Sequence, residues 1–253
     1  MFIRTYWKDQ TQSLASQAEW RKRIAKKNRQ PGTSAPTLAA VWAGPVELHG
    51  ALSREPHLAD VRLASVVVER ESRFDARGGP RNHDLVVHGH LPNGETVIVC
   101  VEAKAGEYLD RTVERYAEDA RNKRARGKAT NAPERLAGLL KRYVPRDAPA
   151  ERVRLMRYQF LSALAGTEAE ARSADVDHAV LMLHDFMTDE RPDDKTAEHA
   201  VEWQRFCTTL FDSETPGPQD VPWCFEVPAP EPMQARLYLA WAVTDLRAAT
   251  LQQ

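Results

Sequence analysis

The chain reads as an α/β protein with a central mixed β-sheet flanked by helices. Three observations predict this. Two β-rich runs, 84–90 and 96–104, flank the turn sequence Leu91-Pro92-Asn93-Gly94-Glu95, the pattern of an antiparallel hairpin. A long helical stretch at 151–172 precedes a buried apolar run at 177–186, and a helix between strands is what a parallel crossover needs. The 253 residues, 42% hydrophobic and 28% charged, suffice for one sizeable core, or one core with a small appendage.

In chain order, residues 2–7 suit a short edge strand. Residues 11–29 suit a helix capped by Thr11 or Ser13, with a thin apolar stripe of Leu14, Ala18 and Ile24. Its far end carries Arg21, Lys22, Arg23, Lys26, Lys27 and Arg29, a solvated face that complements the helix dipole or a set of phosphate contacts. Pro31-Gly32 closes this segment, so 1–33 is an expected N-terminal appendage to a single domain, 34–212 its core and 213–253 strands added to the sheet. Ser34 or Thr37 opens a second helical stretch, and Pro45 starts a new helix or kinks this one. A strand at 62–71 is centred on Ser65-Val66-Val67-Val68. Beyond the hairpin the pattern gives helices at 110–126, 131–143, 151–172 and 196–211, and strands at 177–186, 221–227 and 235–243.

The hairpin concentrates the chemistry. With Pro92 and Asn93 at the corners and Gly94 in the left-handed position, a three-residue loop pairs Leu91 with Glu95. Counting back, Asp84 falls opposite Glu102, and Lys104 shares their face because side chains alternate along a strand. A two-residue Asn-Gly turn would shift the pairing by one and separate them. Two carboxylates and an ammonium thus converge at the end of a strand pair with an apolar middle, where unpaired charge is costly. The set reads either as a salt bridge capping the sheet or as a site for a divalent cation, since Mg²⁺ accepts one or two carboxylates with waters and phosphate oxygens.

Asp84, a hairpin and then Glu102-Ala103-Lys104 resembles the signature of the PD-(D/E)xK nuclease superfamily, the restriction-endonuclease-like fold; His83 stands where the pattern has proline. The wider stretch is similar to an uncharacterised bacterial branch of it. That similarity runs through Glu69, Gly78-Gly79, Arg81 to Asp84, Glu102 to Lys104, Glu107 and Arg157-Tyr158-Gln159-Phe160-Leu161, and spans about residues 34–212. The resemblance implies a metal-dependent nuclease acting on DNA in preference to RNA. In it Asp84, Glu102 and the Ala103 carbonyl would hold Mg²⁺ (or Mn²⁺), Lys104 would handle the water, and Gln159 would stand near the site. Glu47 on the first core helix and Glu69 would be auxiliary acids. Glu107 lies within about one turn of the triad and could orient Lys104, bind metal through water or simply begin a helix. Arg81, Asn82 and His83 adjoin Asp84, and Arg121, Lys123 and Arg124 form a basic run, so these six are the expected nucleic-acid contacts; His83 reads equally as a residue supporting the site or as merely exposed, and the basic run also as a solvated loop. His184-Asp185 invites an acid/base or metal reading, but no third ligand lies near in sequence. Cutting both strands of a duplex calls for two sites, hence an expected homodimer. The alternative is a catalytically silent nuclease-like protein that binds nucleic acid or a partner, favoured by a formal net charge of −1, which gives no global basic field.

Other classes are disfavoured. No apolar run approaches the ~20 residues that span a bilayer, and the Met1 to Lys8 start lacks a signal-peptide core. The three cysteines, Cys100, Cys207 and Cys224, form neither a disulfide framework nor a zinc pattern. Cys100 alternates in phase with Glu102 and reads as a small buried apolar residue. A cytoplasmic protein with no membrane partner is expected.

Overall fold

The computed structural model describes residues 4–8, 12–24, 34–41, 46–189, 195–212 and 221–247. Seven strands form one sheet: β1 (Arg4–Trp7), β2 (Arg62–Ser72), β3 (Arg81–His90), β4 (Thr96–Lys104), β5 (His178–Met187), β6 (Trp223–Val227) and β7 (Arg236–Asp245). Their order is β1-β2-β3-β4-β5-β7-β6. β2, β3 and β4 pair antiparallel, β1 lies parallel to β2, β5 to β4 and β7 to β5, and β6 is antiparallel to β7. The sheet is therefore mixed, and strands from both ends of the chain join it.

The helices are α1 (Gln17–Arg23), α2 (Ser34–Val41), α3 (Val46–Leu52), α4 (Val113–Ala125), α5 (Ala132–Tyr143), α6 (Ala150–Leu155), α7 (Tyr158–Ala174) and α8 (Thr196–Phe211). One core joins Trp20, Leu38, Leu48 and Leu52 to Val66, Val68, Leu85, Val87, Val99 and Val101 of the sheet. A second joins Phe160, Leu161 and Leu164 of α7 and Trp203 and Phe206 of α8 to Leu181, Leu183, Leu237, Leu239 and Trp241. Val86, Ile98 and Cys100 cluster with Ala171 of α7. Apolar side chains on both faces of the central strands make this a three-layer arrangement.

The hairpin has the three-residue loop. The Leu91 N–H donates to the Glu95 carbonyl at 2.8 Å and the Gly94 N–H to the Leu91 carbonyl at 3.0 Å. Gly94 has φ +92°, a conformation glycine adopts without side-chain strain. Pairing runs from His90–Thr96 to Leu85–Val101, the register read from the turn. The β4 to β5 connection is the expected parallel crossover.

Two helices differ from expectation. The 151–172 helix is broken at Met156-Arg157, because Arg157 bridges Thr112, the Val113 N–H donates to the Met156 carbonyl at 2.8 Å and the Tyr158 N–H to the Arg111 carbonyl at 3.2 Å. A neighbouring segment supplies backbone partners that replace intrahelical ones. The first helix is shorter than 11–29 and starts from Ser16, whose Oγ accepts the Glu19 N–H at 3.2 Å, while Ser13 bridges Tyr6 instead. Lys26, Lys27, Arg29 and Pro45 lie outside the described residues. Among the described residues no helix is long and apolar enough to cross a membrane.

Candidate functional site

The candidate site forms where β3 and β4 stop pairing. Beyond Leu85–Val101 the ladder is replaced by a side chain: Asp84 Oδ2 accepts the Ala103 N–H at 2.8 Å. Glu102 and Lys104 project to one face, and Lys104 Nζ donates to Glu102 Oε1 at 2.6 Å and to the Ala103 carbonyl at 3.0 Å. Gln159, the second residue of α7, donates Nε2 to the same Glu102 oxygen, while its own Oε1 accepts the Asp110 N–H at 3.1 Å. Arg81 donates to Glu102 Oε2. Glu102, Lys104 and Gln159 are only 5%, 8% and 6% exposed. Both oxygens of Glu102 are thus engaged, one of them twice.

The electrostatics follow from burial. It raises the Asp84 pKa, against the opposing pull of the Lys104 charge and the Ala103 hydrogen bond. It lowers that of Lys104, opposed first by Asp84, and lowers that of Arg81.

A break in strand alternation sets the position of Asp84. Val68 pairs with Leu85 and Arg70 with His83, leaving Glu69 and Asp84 between. Glu69 has φ +52°, a left-handed conformation that costs a non-glycine residue about 1–2 kcal/mol. On one side of the break, Val68 and Leu85 face the α2–α3 core. On the other, Arg70 Nε and Ser72 Oγ reach Glu170 of α7 at 3.0 and 2.6 Å, and His83 lies against Gly166 of α7. The Glu69 carboxylate accepts Asn82 Nδ2 at 2.6 Å; burial and then the Asp84 charge raise its pKa.

The remaining predicted site residues divide sharply. His83 was expected to reach a substrate phosphate, and its position corrects that: it is 0% exposed, and burial pulls its pKa down to about 3. Glycine at 166 makes this possible, since a Cβ there would stand 2.4 Å from His83 Nε2. Glu107 uses its carboxylate to tie segments together, taking the Ser34 N–H at 2.7 Å and the Ser34 hydroxyl at 3.0 Å at the start of α2, and the Ala105 N–H at 2.7 Å. Glu47 lies on α3, with its side chain outside the described residues. Arg121 and Lys123 are exposed on α4, while Arg124 pairs with Glu134.

Sequence reading missed a buried chain beside Lys104. Asp185, partner of Lys104 in the β4–β5 register, accepts Trp241 Nε1 at 2.7 Å and meets His199 Nδ1 at 2.5 Å. His199 Nε2 reaches the Glu107 carbonyl at 2.9 Å. His184, considered together with Asp185, instead meets Thr244 Oγ1 at 2.8 Å. One signal for His199 existed: it shares a helical stripe with Trp203, Phe206 and Leu210.

Asp84, Glu102 and the Ala103 carbonyl are hard oxygen donors, and two carboxylates suit a Mg²⁺ ion that keeps several waters. Among the described residues no group of three or more His, Cys, Asp or Glu side chains could hold a metal. A cation placed on these donors would have to complete its shell from water and substrate.

The chain belongs to the family described as a domain of unknown function, DUF6946, whose model matches residues 13–246. No curated protein and no solved structure matches it.

Proposed function

We propose that the chain is a metal-dependent nuclease of the restriction-endonuclease-like kind that hydrolyses phosphodiester bonds of DNA. The observation that carries this reading is the meeting of Asp84, Glu102 and Lys104 where the β3–β4 ladder ends, with Asp84 on the Ala103 amide and Lys104 on Glu102. Asp84, Glu102 and the Ala103 carbonyl would hold Mg²⁺ or Mn²⁺. Such a cation, when bound, polarises a phosphoryl oxygen and lowers the pKa of a water. Lys104 supplies a positive charge where negative charge develops on the phosphoryl oxygens. Gln159 orients Glu102 from α7.

Supercoiled plasmid and single-stranded DNA, incubated with Mg²⁺, Mn²⁺ or chelator, test the reading. Metal-dependent cutting is expected, with loss of at least about a hundredfold in Asp84→Ala, Glu102→Ala and Lys104→Ala. Full activity in all three variants would sink it.

One observation favours a second reading, a catalytically silent binding protein. Arg81, Lys104 and Gln159 already satisfy both oxygens of Glu102. Calorimetric titration with Mg²⁺ and Mn²⁺, with and without DNA, separates the two; absence of binding in every case selects the silent protein.

A further inference from the structure

We propose that a cationic double cleft between the β2–β3 connection, α4, α5 and α7 binds the phosphodiester backbone of a nucleic-acid strand. The outer cleft, ≈ 370 Å³, has Arg77, Lys123 and Arg135 as its charged lining, with Tyr116, Thr130 and Asn131 as further polar groups and no acidic side chain. The inner cleft, ≈ 260 Å³, shares Arg77 and Arg135 and adds Arg142 and Arg172 against Asp75 and Glu168. Those two acids are already matched. Asp75 lies 3.1 Å from Arg135 Nε, and Glu168 is held by Arg142, Arg172 and the Tyr143 hydroxyl. Glu134 is taken by Arg124, and Arg77 makes no ion pair among the described residues. Positive charge is therefore in excess through both clefts.

The guanidinium groups are seated rather than loose. A Cβ at Gly138 would stand 3.1 Å from Arg77 Nη1, and one at Gly78 2.4 Å from Arg135 Nη1. Glycine is a poor helix former, so Gly138 inside α5 runs against local preference, and its effect is to let Arg77 lie on the helix backbone. Arg135 is further fixed by the Gly79 carbonyl at 2.8 Å and by the Phe74 ring, 4.2 Å from its guanidinium carbon. Planar guanidinium groups held in this way match phosphate oxygens in pairs.

The cleft also adjoins the candidate site. Tyr116 of its lining stacks on Tyr158 with ring centroids 3.7 Å apart, and Tyr158 precedes Gln159, which donates to Glu102. Two adjoining cationic compartments that share their arginines suit successive phosphates of a strand. Because Tyr116 already stacks on Tyr158, the contact is to backbone rather than to bases. DNA as the strand rests on the proposed nuclease function; the cleft itself does not depend on hydrolysis.

The test is fluorescence anisotropy of a labelled oligodeoxynucleotide over a salt series in chelator. It compares the wild-type chain, Arg77→Ala/Lys123→Ala, Gly138→Ala and Lys104→Ala, with plasmid cleavage followed in parallel. Arg77 and Lys123 are exposed, so their removal spares the core. The double variant should bind at least tenfold more weakly, with the slope of log K against log salt reduced by about 1.4, two phosphate contacts to a single strand. Gly138→Ala should weaken binding without lowering thermal stability, since its Cβ displaces only the end of Arg77. Lys104→Ala should lose plasmid cleavage, which reports on the candidate site separately from the cleft. Wild-type affinity and slope in the double variant, or no oligonucleotide binding by the wild type, would overturn the proposal. So would inorganic pyrophosphate competing as well as the oligonucleotide, which would mark a small-anion site. Binding lost in the cleft variants without any wild-type cleavage would leave the cleft standing and the nuclease reading refuted; cleavage by a cleft variant that binds normally would do the reverse.

Discussion

Glu102 and His184 show two ways a polar side chain survives burial. Glu102 is surrounded by donors, whereas His184 is buried and, among the described residues, meets only the Thr244 hydroxyl, on one nitrogen. Burial alone pulls the His184 pKa from 6.5 to about 3. Between those values the unfolded chain binds a proton that the folded chain refuses. This stability is complete above pH 6.5 and is lost as pH falls toward 3, at about 1.4 kcal/mol per pH unit. Urea unfolding at pH 6.5 and about one unit lower, for the wild type and His184→Leu, should show a shallower pH dependence in the variant. Equal slopes would mean that the buried ring accepts a proton. His83 has the same depressed pKa and adds equally to the slope of the wild type and of the variant.

The elements around the site are shaped by a few backbone conformations. Gly94 at φ +92° sets the hairpin loop and with it the register that brings Asp84 beside Glu102. Gly94→Val should destabilise the protein by about 1–2 kcal/mol through left-handed strain. Denaturant titration would show this as a lower midpoint, and an unchanged midpoint would mean that the loop can change its turn type. Glu69 is the opposite case, a glutamate in a glycine-like conformation inside β2. The run Val66-Val67-Val68-Glu69-Arg70-Glu71 reads in sequence as a uniform strand, so the turned-over face beyond Glu69 was not legible. The break between α6 and α7 was hidden for a similar reason. Met156-Arg157 is compatible with helix, and only the arrival of Arg111 to Val113 gives its backbone other partners.

Across the whole molecule, one buried chain ties the layers together at the end of the sheet. Trp241 of β7, Asp185 of β5, His199 of α8 and the Glu107 carbonyl after β4 are linked in sequence, and the Glu107 carboxylate continues the link to Ser34 on the opposite face. Removing the ring leaves Asp185 short of a partner in a buried site. His199→Phe should therefore lose about 3 kcal/mol, and His199→Phe/Asp185→Leu should recover part of it. Urea unfolding of the two variants checks this; a loss under about 1 kcal/mol in the single variant would show that water reaches the carboxylate.

The hairpin, its register, the parallel crossover to β5 and the grouping of Asp84, Glu102 and Lys104 were legible from the chain alone. Each depends on local rules: turn chemistry, period-two alternation and hydrophobic runs close in sequence. Arg81 on Glu102, His83 against Gly166, His199 on Asp185 and the arginines seated on Gly78 and Gly138 were not. Those contacts join residues far apart in the chain or invert a strand face, and they exist only once α5, α7 and α8 have docked on the sheet. Short-range periodicity names the elements, but the choice of partner for each buried charge belongs to packing, where desolvation makes any unpaired group costly.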